Sequence, residues 1–227
     1  MEESGFQRCR TGLKNLDIAL DGGVPRNNFV IVAGSSGSGK TNLCIEFIYN
    51  GAAKFNEPGV YVTLEQTRDE ILAAGNQIGK DFNSLIEKGL VSVISPSYYN
   101  LDRLFFTLEA EILRTGEVSS KRLVIDPVFF SEDTKQQIPF FKKLLRNMGC
   151  TTLVTLETAP GQTSGLSYAD GIIELDSSSF LRNVRVGKMR GTSHDLGRYS
   201  MEITSKGVKV GERIEAPAKE LLAESRV

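Results

Sequence analysis

The chain contains an eight-residue segment, G-S-S-G-S-G-K-T, whose residue types and spacing are those of a phosphate-binding loop. It fits the pattern G-x-x-x-x-G-K-[ST], after an apolar run that predicts a strand and before a helical pattern. Glycines let the backbone curl so that successive N–H groups point at phosphate oxygens, and the helix start adds partial positive charge. Lys40 is suited to reach the β- and γ-phosphates, and the Thr41 hydroxyl to bind Mg²⁺. We predict a nucleotide site at this phosphate loop, which comprises Gly34, Ser35, Ser36, Gly37, Ser38, Gly39, Lys40 and Thr41.

A second acidic group for the metal ion is expected at the end of another strand, and Asp126 is suited to this role. The run R-L-V-I at residues 122–125 predicts a buried strand that leads directly into this carboxylate. A carboxylate there can hold an Mg²⁺-bound water beside the nucleotide. The alternative is that Asp126 only begins a turn with Pro127. The presence of the phosphate loop favours the metal role.

Glu65 is the candidate for acting on the attacking water. It follows a predicted strand, G-V-Y-V-T-L at residues 59–64, where a carboxylate can orient and polarise the water that attacks the γ-phosphate. The alternative is a solvated acid at the start of a helix, because Thr67 begins a polar segment typical of a helix cap. The residues alone leave both interpretations open.

Lys188 and Arg190 are two positions apart at the end of a predicted strand. Side chains two apart on a strand leave the same face, so the pair is expected to form one cationic face. Such a face suits a clamp on a phosphoryl group that is being transferred. The alternative is solvated charge on an edge strand, with Arg182 and Arg185 as further surface charges.

These residues require a scaffold that brings strand ends together, and the chain shows the pattern of one. Strands are predicted at 28–33, 59–64, 91–94, 122–125 and 152–156, and helices at 41–53, 68–78, 101–114 and 134–148. This alternation is typical of a parallel sheet flanked by helices. After residue 169, strands at 171–175, 181–188, 200–203 and 208–210 have only turns between them, which predicts antiparallel hairpins. The expected fold class is α/β, a mostly parallel twisted sheet flanked by helices with antiparallel C-terminal strands.

Length and composition exclude several classes of protein. With 227 residues, 40% of them hydrophobic, the chain is expected to form a single domain (1–227), with a core at about 11–210 and a polar tail at 212–227. The net charge of −1 argues against a protein that coats nucleic acid by bulk charge. One His and three widely spaced Cys argue against a zinc site or a disulfide framework and fit a reducing compartment. Without a signal peptide or a membrane-spanning run, we expect a cytoplasmic protein with no membrane partner.

Four segments together resemble those of KaiC-type ATPases, a branch of the RecA/RadA superfamily that is common as single-domain proteins in archaea. The first comprises residues 11–17 (T-G-L-K-N-L-D) and 21–26 (D-G-G-V-P-R), and the second is the phosphate loop. The third comprises residues 47–51 (F-I-Y-N-G) and 57–63 (E-P-G-V-Y-V-T). The fourth, K-M-R-G-T-S-H at residues 188–194, is similar to the family's K-x-R-G-[ST]-x-H segment. The likeness covers nearly the whole chain.

The resemblance implies a RecA-like core and a homo-oligomeric ring, commonly a hexamer, with ATP held between neighbouring subunits. It implies that Lys188 and Arg190 reach the γ-phosphate of the adjacent subunit's ATP, and that Glu65 activates the water. His194 is expected to line the nucleotide interface or to pack locally. The expected function is Mg²⁺-dependent ATP binding and hydrolysis, used as a regulatory or signalling switch.

The chain departs from the family at Gln66, where the family usually has a second adjacent Glu. This leaves slow turnover, or an ATP-gated assembly or scaffold protein with little hydrolysis, as alternatives. DNA recombination in the manner of RadA is a further alternative that we do not favour, because the candidate DNA-facing segments 127–139 and 159–167 are not strongly basic. Autophosphorylation at Ser167 is the last alternative, and the missing Glu weakens it.

Overall fold

The structure is a computed structural model that describes residues 7–96, 110, 121–128, 132–158, 166–177 and 181–214. Within these ranges the strands are β1 (Arg8–Cys9), β2 (Val24–Pro25), β3 (Phe29–Gly34), β4 (Gly59–Thr63), β5 (Val91–Ile94), β6 (Lys121–Asp126), β7 (Cys150–Glu157), β8 (Gly171–Asp176), β9 (Arg182–Met189), β10 (Arg198–Thr204) and β11 (Gly207–Ile214). Nine of them form one sheet in the order β11-β10-β9-β8-β3-β7-β6-β4-β5, and β1 pairs with β2 separately.

The six strands from β8 to β5 run parallel to one another. Their carboxyl ends therefore meet at one edge of the sheet, which we call the carboxyl edge, and their first residues meet at the opposite, amino edge. In open parallel sheets, ligands bind beyond the carboxyl ends of the strands. The strand order therefore determines which residues can share a site.

The parallel strands are buried along most of their length because both faces of the parallel sheet are covered. In β3, Val30 and Val32 pack in the core on one face, and Phe29, Ile31 and Ala33 pack in the core on the other. Successive side chains on a strand point to opposite faces, so a buried β-branched run fills both cores at once. This explains why the sequence shows continuous apolar runs rather than an alternation of apolar and polar residues.

Among the described helices, four cover one face of the sheet and one covers the other. The described helices are α1 (Lys14–Ala19), α2 (Lys40–Phe55), α3 (Arg68–Gln77), α4 (Asn83–Glu87) and α5 (Glu132–Asn147). Side chains of the first four pack in one core, through Leu16, Leu43, Ile71 and Leu85, and α5 packs in the other through Ile138 and Leu145. We call the first of these the α2 face. None of the helices in the described ranges is both long and apolar enough to cross a bilayer.

The predicted fold class is confirmed, since a mostly parallel sheet continues into antiparallel strands β9, β10 and β11. One pairing differs from the prediction. β8, which we grouped with the antiparallel hairpins, pairs in parallel with β3 on one side and antiparallel with β9 on the other. The connection from β7 to β8, residues 158–170, has the roughly dozen residues that a parallel crossover needs. The strand β8 is therefore part of the parallel core.

Short elements were missed, and some predictions lie outside the described residues. We did not predict β1, β2, α1 or α4, which are too short to show a periodic pattern of apolar residues. β11 runs to Ile214, so the first residues of the predicted polar tail are strand. The predicted helix 101–114 lies outside the described residues except at position 110, as does the rest of the tail.

An ion pair is buried where α2 crosses the amino edge. Arg122 is fully buried, and its Nε and Nη2 donate to Glu57 Oε2 at 2.8 and 2.5 Å. Its Nη1 donates to the Phe47 carbonyl at 2.8 Å, and the guanidinium lies 4.6 Å from the centre of the Phe47 ring. A Cβ at Gly51 would clash with the Arg122 side chain, so α2 keeps a glycine there. Arg26 makes a second contact to Glu57, at 2.5 Å.

We expect Glu57→Gln to destabilise the fold, because it leaves the buried Arg122 guanidinium without its balancing charge. Removing one partner of a buried pair costs about 3–5 kcal/mol. The free energy of unfolding, measured by urea titration, should fall by about 3 kcal/mol or more.

The matched control is Asp69→Asn, because the Asp69 side chain is 92% exposed in its pair with Arg68. This change should stay within about 0.5 kcal/mol of the unchanged protein. Equal, small effects of the two substitutions would contradict a structural role for the buried pair.

Candidate nucleotide site

The phosphate loop connects β3 to α2 through two positions where only glycine fits. A Cβ at Gly34 would lie 2.5 Å from the carbonyl oxygen of Leu175 and 2.7 Å from Ser38 Oγ. Gly39 has φ 102°, which favours glycine, and a Cβ there would lie 2.8 Å from Met201 Cε. The loop can therefore pass close to β8 and β10 before the helix begins.

The Lys40 ammonium lies against the backbone of its own loop. Its Nζ donates to the carbonyl oxygens of Gly34 and Ser35, at 2.9 and 2.8 Å. Burial lowers the pKa of Lys40, and the nearby carboxylates of Glu157 and Asp126 act in the opposite direction. A bound phosphate could replace the two carbonyls as the partner of the Lys40 ammonium. Because this ammonium is partly shielded from water, its attraction to the phosphate would be stronger than in bulk water.

Asp126 ends β6, and its buried carboxylate accepts hydrogen bonds from three hydroxyl groups. Thr41 donates to Oδ2 at 2.8 Å, Tyr61 donates to the same oxygen at 2.5 Å, and Thr155 donates to Oδ1. Burial raises the pKa of Tyr61 well above its usual value, and the charge of Asp126 raises it further, so the phenol stays protonated as a donor. A turn with Pro127 does not account for these contacts.

A cavity of about 630 Å³ lies over the phosphate loop at the carboxyl edge. Its volume is within the usual range of small-molecule sites, about 300–1,000 Å³. Seven predicted site residues line it: the loop residues Ser36, Gly37 and Gly39, and four whose side chains could take part in the chemistry, Lys40, Thr41, Glu65 and Asp126. The last four are brought together by the fold. They come from the start of α2 and from the ends of β4 and β6, which the parallel order brings together.

The oxygen atoms of Thr41 and Asp126 are the donors that Mg²⁺ prefers. This ion is usually held by one or two protein groups together with waters and substrate phosphates, not by a complete protein cage. Within the ranges that the structure describes, no group of three or more His, Cys, Asp and Glu could hold a metal ion. The hydroxyl and carboxylate, 2.8 Å apart, therefore fit an Mg²⁺ ion that a nucleotide would share.

Glu65 lies in the turn after β4, and another residue caps the following helix. The Thr67 hydroxyl accepts from the Glu70 N–H at 3.2 Å, and the Glu70 carboxylate accepts from the Thr67 N–H at 2.7 Å. The Thr63 hydroxyl closes the turn by donating to the Gln66 carbonyl at 2.7 Å. Thr67 is thus the N-cap, as expected from the sequence, in a capping box with Glu70, while the exposed Glu65 side chain lines the cavity.

Two charged residues that we did not predict also line this cavity. Glu157 ends β7, and Arg182 begins β9 with its Nε 3.4 Å from the Gly37 carbonyl. Glu157 directly follows a predicted strand, as Asp126 does, so the sequence carried the same signal for this carboxylate. Arg182 gave no such signal, since its position depends on the β8–β9 hairpin.

Lys188, Arg190 and His194 are not among the described residues that line this cavity. The Arg190 N–H donates to the Asp170 carbonyl at 2.8 Å, at the start of β8, whereas Leu175 at the other end of β8 pairs with the phosphate loop. At a rise of roughly 3.3 Å per residue, the two ends are roughly 16 Å apart. The structure therefore puts Lys188 and Arg190 at the amino edge, away from the phosphate loop of their own subunit.

The amino edge has its own cavity of about 650 Å³, with a basic wall. Four cations line it: Lys142, Lys143, Arg146 and Arg190. Asp170 balances part of this charge, because its carboxylate accepts from Lys142 at 2.7 Å and from Arg146 at 3.2 Å. Burial lowers the pKa of Lys188, and the charges of Arg190 and Lys142 lower it further, so these cations lie close together.

The two remaining candidates are Ser167, which lines this basic cavity, and His194. Ser167 is exposed, and its carbonyl accepts from Lys188 Nζ at 3.2 Å. His194 is partly buried in the loop between β9 and β10. Asp195 fixes that loop, since its N–H donates to the Ala19 carbonyl at 2.9 Å.

Comparisons with known proteins agree with this architecture. The family model described as "ATPase: KaiC" matches residues 9–215. A UPF0273 protein of Methanocaldococcus jannaschii is 31% identical, with 90% of this chain and 96% of the relative covered. A UPF0273 protein of Thermotoga maritima is 32% identical over the same shares. A circadian clock oscillator protein KaiC of Synechococcus elongatus is 27% identical over 92% of this chain, which spans 45% of that relative.

A solved structure extends the agreement to the fold. The KaiC-like protein of the hyperthermophilic archaeon Pyrococcus horikoshii matches with a TM-score of 0.81 and 30% identity, over 92% of this chain and 100% of that chain. The RecA-like α/β fold implied by the sequence resemblance is confirmed. Membership of this family supports nucleotide-binding ATPase activity. The chain belongs to the KaiC family of ATPases.

Proposed function

We propose that the protein is an Mg²⁺-dependent ATPase that forms a ring, with each active site shared between two subunits. The observation that carries this proposal is the hydrogen bond of 2.8 Å between Thr41 and Asp126, which links the phosphate loop to the strand-end carboxylate at the wall of a nucleotide-sized cavity. Lys40 and Glu65 on the same wall supply the other two groups that phosphoryl transfer to water needs.

In the proposed reaction, each group of this chain has a separate task. The backbone N–H groups of the phosphate loop and the Lys40 ammonium bind the β- and γ-phosphates. Thr41 and Asp126 would hold Mg²⁺, which neutralises phosphate charge when it is bound. Glu65 accepts a proton from the water that attacks the γ-phosphate.

The distance between the two edges of the sheet supports a shared site. Lys188 and Arg190 are too far from their own phosphate loop to contact its nucleotide, but a neighbouring subunit could present its carboxyl edge to them. We take the assembly to be a closed hexameric ring. In such a ring, Lys188 and Arg190 of every subunit would contact the nucleotide of one neighbour, and its own nucleotide would be contacted by the cations of the other neighbour. His194, on the loop after Arg190, would then lie at the same interface.

We infer a regulatory role for hydrolysis from the relatives that are circadian clock oscillator proteins. In this proposal the ring changes state between its ATP and ADP forms. A reducing cytoplasm suits the chain, because Cys9, Cys44 and Cys150 are buried thiols that form no disulfide among the described residues.

A second candidate function is an ATP-gated scaffold with little hydrolysis. The observation that favours it is Gln66, which lines the cavity beside Glu65 and carries no charge with which to activate water. Phosphate release by the purified protein separates the two candidates, since a scaffold would bind ATP and Mg²⁺ without turning ATP over.

Lys40→Ala should weaken ATP binding at least tenfold, because it removes a charge-assisted contact to phosphate that is worth about 1.5–3 kcal/mol. Equilibrium binding of ATP in the presence of Mg²⁺ measures the change. The control is Lys54→Ala, which removes an exposed charge at the other end of the same helix. Unchanged ATP affinity in the Lys40 variant would exclude the phosphate loop as the binding site.

Glu65→Gln should leave ATP binding intact while phosphate release falls by about 10²–10⁴, the contribution typical of a general base. The amide keeps the shape of the side chain and loses the charge that accepts the proton. Asp69→Asn is the control, an exposed acid in the next helix. If the two variants release phosphate at the same rate, Glu65 has no part in the reaction.

Arg190→Ala should abolish turnover and keep ATP bound, since a cation supplied by a neighbour is worth about 10³–10⁵ in rate. Mixing this variant with Lys40→Ala subunits is the sharper test, because some mixed interfaces pair an intact loop with an intact clamp. We expect partial recovery of phosphate release in this mixture. The control is Lys206→Ala, which removes an exposed charge. Mixed with Lys40→Ala subunits, it should release no more phosphate than it does alone. Subunits that exchange but stay inactive at every ratio would rule out a shared site.

A further inference from the structure

β7 ends in an acidic residue, Glu157, that lines the nucleotide cavity. In the sheet, β7 lies between β3 and β6. Its last residue, Glu157, pairs with Gly34, and the Thr158 N–H donates to the Gly34 carbonyl at 3.2 Å. The Glu157 side chain lines the same cavity as Lys40 and Asp126. The carboxylate therefore enters the cavity directly beside the phosphate loop.

Glu157 leaves β7 on the α2 face, as the rest of the site does. Thr155, two positions earlier, donates its hydroxyl to Asp126. Leu153, two positions earlier again, packs in the core on the α2 face. Since side chains two apart on a strand share a face, these three residues point the same way. Glu157 is thus the outermost member of a row that already contacts the metal-side carboxylate.

Glu157 and Lys40 line the same cavity, and Glu157 pairs with Gly34 at the start of the phosphate loop. Because Lys40 contacts the β- and γ-phosphates in a loop of this type, a carboxylate next to it lies near the end of the nucleotide where hydrolysis occurs.

Glu65 and Glu157 approach the cavity from the two sides of Asp126. β4 and β7 are both neighbours of β6, so their ends are roughly 10 Å apart at about 4.8 Å per strand. Two glutamate side chains that extend from this separation leave room for a water molecule between their carboxylates. On the β4 side the next residue, Gln66, supplies no second negative charge.

We propose that Glu157 is the second carboxylate of the hydrolytic site and orients the attacking water, an inference that rests on the ATPase function proposed above. The water oxygen bonds to the γ-phosphorus while the bond from that phosphorus to the β–γ bridging oxygen breaks, and its electron pair leaves with ADP. Glu65 takes one proton of the water and passes it to the released phosphate. Glu157 accepts a hydrogen bond from the other O–H group and takes no proton.

The test is Glu157→Gln, measured by phosphate release and by equilibrium binding of ATP with Mg²⁺. The side chain is exposed, so the amide should fold as the carboxylate does. We expect kcat to fall at least tenfold while the Kd for ATP changes less than threefold, because the charge acts on the water and not on nucleotide binding. Glu87→Gln, an exposed acid on α4, is the matched control and should leave both quantities unchanged.

Two results would overturn the inference. A kcat within threefold of the unchanged protein would mean that Glu157 does not act on the water. A loss of ATP affinity as large as the loss of kcat would mean that Glu157 only holds Lys40 in place. Failure of the proposed function looks different, because the unchanged protein itself would then release no phosphate from bound ATP, and the inference would fall with it.

Discussion

The arrangement of the nucleotide site depends on how the buried carboxylate of Asp126 is satisfied. A buried charge is stable only with hydrogen-bond partners, and here the partners are hydroxyls from α2, β4 and β7. Each hydroxyl belongs to a different element, so satisfying one group fixes the phosphate loop against two neighbouring strands. Two of these strands also provide acids of the cavity wall, since Glu65 comes shortly after β4 and Glu157 is the last residue of β7. Asp126 thus aligns the ends of the strands from which Glu65 and Glu157 reach the cavity.

A second buried acid, at the amino edge, joins the start of β3 to the backbone that carries the proposed clamp. The Asp170 carboxylate accepts from the N–H of Phe29, the first residue of β3, at 3.0 Å, and from Lys142 at 2.7 Å. Its carbonyl accepts from Arg190. The strand that ends in the phosphate loop and the backbone that carries the proposed clamp therefore share one anchor. In the proposed ring, this anchor sets the orientation of a subunit's own loop relative to the cations that it gives to its neighbour.

The sequence was most informative where structure is local. The strands β3, β4 and β6 are buried on both faces, so their apolar composition was enough to predict them. The phosphate loop that begins at Gly34 could be predicted from its motif alone. Arg122 could not be placed, because a lone cation at a strand start shows neither its burial nor its partner Glu57. Glu157 follows a predicted strand, as Glu65 does, but its place beside the phosphate loop depends on the strand order, in which β7 lies between β3 and β6.

The phosphate-loop helix is fixed along its length, which limits where a nucleotide-driven change can occur. Its first turn is held through Thr41. Its middle is held through Glu46, whose carboxylate accepts from the Val208 N–H at 2.8 Å, and through Phe47, whose carbonyl accepts from Arg122. Each buried group left unpaired by a shift would cost about 1–3 kcal/mol. The turn after β4 is exposed and closed mainly by two hydroxyl contacts to the Gln66 carbonyl, at 2.7 and 3.2 Å. A switch of the proposed kind therefore acts most easily through this turn, while the loop that binds phosphate keeps its shape.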